Sequence, residues 1–190
     1  EKVEIEVSNI IRKDIRKNHT STHLLHWALK KVFGDQLKQA GSFVAAKRFR
    51  FDYTIYDAPT SDQLDKVEKL INERIQRDEP VRCFETTRDY AQQLGTIALF
   101  DEKYEKFVRV VEIGNYSREL CGGLHINRTG QIGLFTIISE TSIGANLRRI
   151  EAITGMHAFE LLKGKKDVLD DIAFDLEVDI KKVSETVKKI

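Results

Sequence analysis

The spacing of apolar residues along the chain switches repeatedly between a period of two and a period of three to four. Val3, Ile5 and Val7 alternate with charged residues, which predicts a half-buried strand at the start. A helical stretch comes next. Its second part covers residues 19–33, with Leu25, Ala28, Leu29 and Val32 on one stripe and Gly34 as its stop. Residues 42–55 read as strand, with Phe43, Phe49, Phe51 and Tyr53 among basic residues, and Pro59 closes the stretch. Thr60 and Gln63 have capping-box spacing, and Leu64, Val67, Leu70, Ile71 and Ile75 carry a helical period towards Pro80.

Residues 81–86, 97–100, 107–113, 116–120, 134–139 and 147–153 read as further strands, with a short helix at 87–95. Helical patterns lie between strands without strict alternation, so the fold class expected is α+β. After Gly155 the strand signals stop. Residues 156–163 and 167–176 read as two helices, and Asp179 caps a last one with Ile180, Val183, Val187 and Ile190 at coiled-coil spacing. The pattern divides the chain into a core at 1–155 and a helical extension at 156–190. The last seam is too short for a coiled coil on its own, and is expected to pack on a neighbour or fray.

At 190 residues the chain makes one domain, or one domain with an appendage. A formal net charge of +1 gives no global field, so any nucleic-acid site must be a local patch. The two cysteines, Cys83 and Cys121, make no disulfide framework, which suggests a reduced, intracellular and cytoplasmic protein. No apolar run approaches the roughly 20 residues a membrane-crossing helix needs. The chain starts at Glu1 and its only methionine is Met156, from which we expect a segment excised from a longer protein.

Two pairs of residues carry candidate chemistry. His19 and His23 lie four apart on the predicted helix, one turn apart on one face. Cys121 and His125 flank Gly122 and Gly123, at a strand end on a tight loop. One thiolate and three imidazoles are the donors that tetrahedral zinc prefers. Four protein ligands are usual for a structural zinc. Polar Thr20, Ser21 and Thr22 between the histidines, and a glycine-rich loop open to close approach, favour a functional one. His26, three residues beyond His23, is expected to support a ligand rather than be one. No Ser-His-Asp or Cys-His arrangement offers a better route, and Cys121 as a metal-bound thiolate is a poor nucleophile. Lys47, Arg48 and Arg50 interleave with Phe49 and Phe51, and Arg148 and Arg149 form a second basic pair. These are candidate RNA contacts, or a solvated face with ion pairs to Glu140 or Glu151.

The stretch Asn18-His19-Thr20-Ser21-Thr22-His23-Leu24-Leu25-His26 resembles the first signature of the alanyl-tRNA synthetase editing domain. So do Gln39-Ala40-Gly41-Ser42-Phe43-Val44 and Arg50-Phe51-Asp52. Glu119-Leu120-Cys121-Gly122-Gly123-Leu124-His125 is similar to the family's Cys-Gly-Gly-Thr-His motif, and Thr129-Gly130-Gln131-Ile132-Gly133-Leu134-Phe135 to the family segment after it. Ile137-Ile138-Ser139-Glu140 and Arg148-Arg149-Ile150-Glu151-Ala152-Ile153-Thr154-Gly155 complete the set. The resemblance covers residues 1–155 in order and continues weakly into the tail, which looks like the start of the synthetase's C-terminal region. Editing domains of threonyl-tRNA synthetases and free-standing trans-editing proteins share both ligand pairs.

The resemblance implies an antiparallel sheet packed with helices, and a deacylase that hydrolyses tRNA-Ala mischarged with serine or glycine. It implies zinc among His19, His23, Cys121 and His125, which are then also the catalytic residues. It places Gln39 beside the amino-acid pocket, with Ser42 and Thr20 as further candidates for binding the substrate. The partners implied are tRNA-Ala and the rest of a parent synthetase, with no membrane. Leu124 departs from the family's threonine, removing a hydroxyl near the metal. That departure sustains a second reading, a structural zinc module that binds tRNA without hydrolysis.

Overall fold

In a computed structural model, which describes residues 2–4, 6–97 and 106–190, Ser8 starts the longest helix among the described residues, α1 (Asn9–Phe33). Gly34 ends it at φ 98°, a conformation that favours glycine, with its N–H bonded to Lys30 O. Leu24, Leu25, Ala28 and Leu29 form its fully buried stripe.

That stripe meets a four-stranded antiparallel sheet made of β1 (Lys38–Val44), β2 (Phe49–Thr54), β6 (Phe135–Gly144) and β7 (Leu147–Thr154), in the order β1-β2-β7-β6. Phe49, Phe51, Tyr53, Phe135, Ile150 and Ala152 point inward from it and are fully buried. Burial of this kind is worth roughly 1.5–3 kcal/mol per large side chain, against about 0–1 kcal/mol for an exposed ion pair. The aromatic face therefore fixes the strand register. Helix α2 (Ser61–Gln76) starts at the Thr60–Gln63 capping box and buries Val67, Ile71 and Ile75 against the same core. A second antiparallel sheet holds β3 (Val81–Thr87), β4 (Phe107–Ile113) and β5 (Ser117–Leu120) in sequence order, with the short α3 (Arg88–Gln93) after β3. The architecture is α+β with antiparallel sheets. No helix among the described residues is long and apolar enough to cross a membrane.

Several expectations are corrected. Val3 and Val7 belong to no strand and are 80 % and 56 % exposed, while Ile5 lies outside the described residues. Alternation makes a strand only where a neighbouring strand accepts its hydrogen bonds. Residues 42–55 are two strands, because the chain reverses at 45–48, where Ala45 N–H bonds Arg48 O at 3.0 Å. No Gly, Pro or Asn marks that turn. Of the strand predicted at 97–100, Ile97 makes a single parallel bridge to Glu119, and the remainder lies outside the described residues. The two helices predicted at 156–163 and 167–176 are one, α4 (Gly155–Asp175). Gly164 sits inside it at a cost of about 1 kcal/mol; the ion pair Lys163–Asp167 spans the point, and Lys166–Asp170 supports the next turn.

Asp179 caps the last segment, accepting from Lys181 N at 2.9 Å. That segment is a 3-10 turn, Ile180–Lys182, which packs back on α4, and a short α5 (Val183–Val187), whose Val183 is buried. Met156, Phe159, Phe174 and Ile190 stay exposed. We expect truncation after Gly155 to lower the melting temperature by several degrees, since Ala158 is buried, and to leave metal binding intact. Metal binding is checked by elemental analysis of the shortened chain. Its loss there would make the tail part of the core.

Candidate metal centre

His19 and His23 stand on the face of α1 that looks towards the end of β5. Cys121 comes directly after β5, and His125 returns after the two glycines. A Cβ on Gly123 would lie 1.9 Å from His19 Cε1, so only glycine lets the loop pass the ring. Arg109 holds the loop by donating to the carbonyls of Cys121 at 2.8 Å and Gly123 at 2.7 Å. Arg16, on α1, donates to His125 O at 2.5 Å.

The four donor atoms lie within 4.8 Å of one another. Cys121 Sγ is 3.4 Å from both His19 Nε2 and His125 Nε2. Zn–S near 2.3 Å and Zn–N near 2.0–2.1 Å put tetrahedral neighbours about 3.3–3.6 Å apart, so these spacings fit one ion. His23 Nε2 is buried and has no hydrogen-bond partner, which is costly for a polar atom unless a cation occupies its lone pair. The residues present therefore fit zinc.

Residues 108–151 match the domain family described as "Threonyl and Alanyl tRNA synthetase second additional domain". The stretch runs from β4 into β7 and contains Cys121 and His125. The whole chain is 45 % identical over 190 residues to an alanine–tRNA ligase of Fervidobacterium nodosum, covering 22 % of that protein. It is 50 % identical over 162 residues, 85 % of the chain, to one of Desulforamulus reducens, covering 18 % of it. It is 46 % identical over 189 residues, the full chain, to one of Natranaerobius thermophilus, covering 21 % of it. The chain belongs to the alanyl-tRNA synthetase editing-region family. It spans about a fifth of the length of the curated relatives it matches.

In this synthetase segment the ligand atoms are held by a buried polar network. Glu119 is 2 % exposed, and its carboxylate accepts from His23 Nδ1 at 2.6 Å and from His26 Nδ1 at 2.9 Å. A carboxylate only accepts, so Nδ1 of His23 carries the proton and Nε2 faces the cluster. His26 therefore supports a candidate ligand through Glu119. Sequence reasoning includes Glu119 in its motif and gives it no role. The signal is present: residues 119 and 121 lie two apart along a strand and its end, so they share a face. Ser117 and Glu119 are buried while Arg118 and Leu120 are less so, the reverse of a solvent-facing polar pattern.

The electrostatics suit a cation. Burial pushes the Cys121 thiol up, but the imidazoles of His125 and His19 against its sulfur and the charge of His23 outweigh it and hold it at about 3. Burial pushes His125 down to about 4 against its contact with Cys121, with His23 and His19 adding to the fall. Burial favours neutral His23 as well, but the charges of Glu119 and Cys121 dominate and raise it to about 10. The anionic groups that favour a proton on His23 favour a metal cation in its place.

The other candidate residues sit around this centre or across the larger sheet. Thr20 is fully buried, and its hydroxyl bonds Arg16 O, Ile126 N and His125 Nδ1. Gln39 Nε2 donates to Ser42 Oγ at 3.2 Å on β1, an edge strand of this synthetase segment. Arg148 pairs with Glu140, which also accepts from Tyr53 OH, and Arg149 grips Asp52 at 2.7 and 2.8 Å. These two guanidinium groups are engaged across the sheet. Arg48 lies 3.5 Å from Glu151 and is 62 % exposed at its side chain. Arg50 stacks over Phe43 with its Nε buried and unpartnered. Leu124 is 43 % exposed on the ligand loop.

Proposed function

We propose that this chain hydrolyses the ester of tRNA-Ala mischarged with serine or glycine, at a zinc ion held by His19, His23, Cys121 and His125. The observation that carries the reading is the convergence of one thiolate and three imidazoles at zinc spacing, with His23 Nε2 buried and unpaired, in a chain of this synthetase family. A synthetic pocket that accepts alanine discriminates weakly against a slightly smaller or hydroxylated amino acid, so a second hydrolytic site adds the missing selectivity.

Zinc supplies Lewis acidity or a lowered water pKa when bound. The chain's own groups do the rest. Glu119 and His26 fix the His23 ring, and Arg109 fixes the loop carbonyls, so the donors are preorganised. Gln39 and Ser42 offer an amide and a hydroxyl to the aminoacyl group. Lys47 and Arg48, exposed at the turn after β1, and Arg50 on β2 are the basic side chains available to meet tRNA phosphates, with salt-sensitive and sequence-independent affinity.

The substrate test compares Ser-tRNA-Ala with Ala-tRNA-Ala. Fast loss of the first and persistence of the second is the expected outcome, and equal rates on both would refute editing. Four protein donors close a tetrahedral ion, and Leu124 lacks the family's hydroxyl. Those two observations favour the alternative, a structural zinc module that binds tRNA without hydrolysis. Leu124→Thr separates the two. On the editing reading we expect it to raise the deacylation rate with little change in zinc affinity. On the structural reading neither form hydrolyses the ester above its spontaneous rate.

A further inference from the structure

Thr20 sits between the two histidines of α1, and none of its surface reaches solvent. Its hydroxyl oxygen has three neighbours: Arg16 O at 3.0 Å, Ile126 N at 3.3 Å and His125 Nδ1 at 3.2 Å. A hydroxyl has one proton to give and two lone pairs to accept with. Arg16 O can only accept, so the Thr20 proton goes there, one helical turn back. Ile126 N–H can only donate, so it takes one lone pair. The contact that remains is satisfied only if His125 Nδ1 carries a proton and donates it to the second lone pair. Were that nitrogen bare, Thr20 would have to turn its proton to the ring, leaving two oxygens facing at 3.0 Å with no hydrogen between them.

We infer that Thr20 is a positioning residue that locks His125 in the Nδ1–H tautomer, so that a bare Nε2 faces Cys121 and the centre of the cluster. His125 Nε2 is the atom found 3.4 Å from Cys121 Sγ, so Thr20 holds the proton on Nδ1 against the pull of the thiolate, which takes its hydrogen bond from His19 Nε2, also at 3.4 Å. The lock links the two ligand pairs, because Thr20 belongs to the helix that bears His19 and His23 while Ile126 and His125 belong to the loop. Glu119 does the corresponding work for His23, by a carboxylate instead of a hydroxyl. The inference rests on the reading of the cluster as a metal site and is independent of the hydrolytic reading.

The tautomer is read in the metal-free chain by long-range proton–nitrogen correlation NMR on 15N-histidine-labelled protein at mildly alkaline pH. We expect His125 to show a protonated Nδ1 and an unprotonated Nε2. The opposite pattern would overturn the inference without any variant having to fold. Thr20→Val keeps the shape and removes the hydroxyl. It is expected to mix the two tautomers and to weaken zinc binding, measured by competition with a chromophoric chelator, by about 10–100-fold. Thr20→Ser is expected to restore both. A purely structural Thr20 would lower the melting temperature in Thr20→Val while leaving tautomer and zinc affinity unchanged, and that result also overturns the inference. The expected tautomer in a wild-type chain that takes up no zinc would support the Thr20 assignment and fail the metal reading alone.

Discussion

Cys121→Ala is expected to lose stoichiometric zinc and to lose stability with it. Apparent zinc affinity in four-ligand peptide sites corresponds to about 10–16 kcal/mol. Losing one donor of four then costs on the order of 3 kcal/mol, or more than about 100-fold in affinity. The structural cost comes from chain distance. Cys121 and His19 are 102 residues apart, so the ion joins α1 to the end of β5 across more than half the sequence. Elemental analysis after dialysis, and thermal melting with and without chelator, measure both effects. A variant that keeps one zinc per chain would remove Cys121 from the ligand set.

Glu119→Ala is expected to have the second large effect. Glu119 is fully enclosed, and its removal strands the Nδ1–H groups of His23 and His26 away from water. Breaking a buried charge pair by deleting one partner costs about 3–5 kcal/mol, a large part of the roughly 5–15 kcal/mol that holds a domain folded. Glu119→Gln keeps one acceptor oxygen and should lie between wild type and alanine.

The pair also sets a pH window in the metal-free chain. Burial works against the Glu119 carboxylate, but the charge of His23 and hydrogen bonds from His23 and His26 prevail and bring it from 4.5 to about 2. A depressed carboxylate contributes stability above its unfolded value and loses it as pH falls through the folded value. A raised histidine contributes below its unfolded value of 6.5 and loses it as pH climbs through about 10. The contribution is therefore full between about 4.5 and 6.5, shrinking towards 2 on the acid side and towards 10 on the alkaline side. Urea denaturation across that range should show the dependence in wild type, and show it largely flattened in Glu119→Gln.

How much of the molecule is legible in its sequence depends on the range of the interaction. The α1 stripe and the Thr60–Gln63 cap are local patterns, and both appear where periodicity puts them. The four cluster residues are legible for a similar reason: each pair is four residues apart, and the side-chain chemistry is rare in this chain. The hairpin turn at 45–48 is not legible, because it is held partly from outside. Asn18, on α1, donates to Ala45 O at 2.7 Å and Ala46 O at 2.9 Å, a contact that no turn signature announces. Glu119 escapes notice because an acid on a strand ordinarily faces water, and only the fold supplies the two histidines that make its burial favourable. Arg148 and Arg149 read equally well as RNA contacts or ion pairs until the register of β7 sets them against Glu140 and Asp52.

The most direct measurement is single-turnover hydrolysis of Ser-tRNA-Ala by the zinc-loaded chain, the chelator-stripped chain, and the stripped chain after zinc is returned. We predict rapid ester loss with the loaded chain, a fall to the spontaneous rate on stripping, and recovery on reloading. Hydrolysis at the same rate in all three preparations, or none above the spontaneous rate in the loaded chain, would overturn the zinc-dependent editing reading.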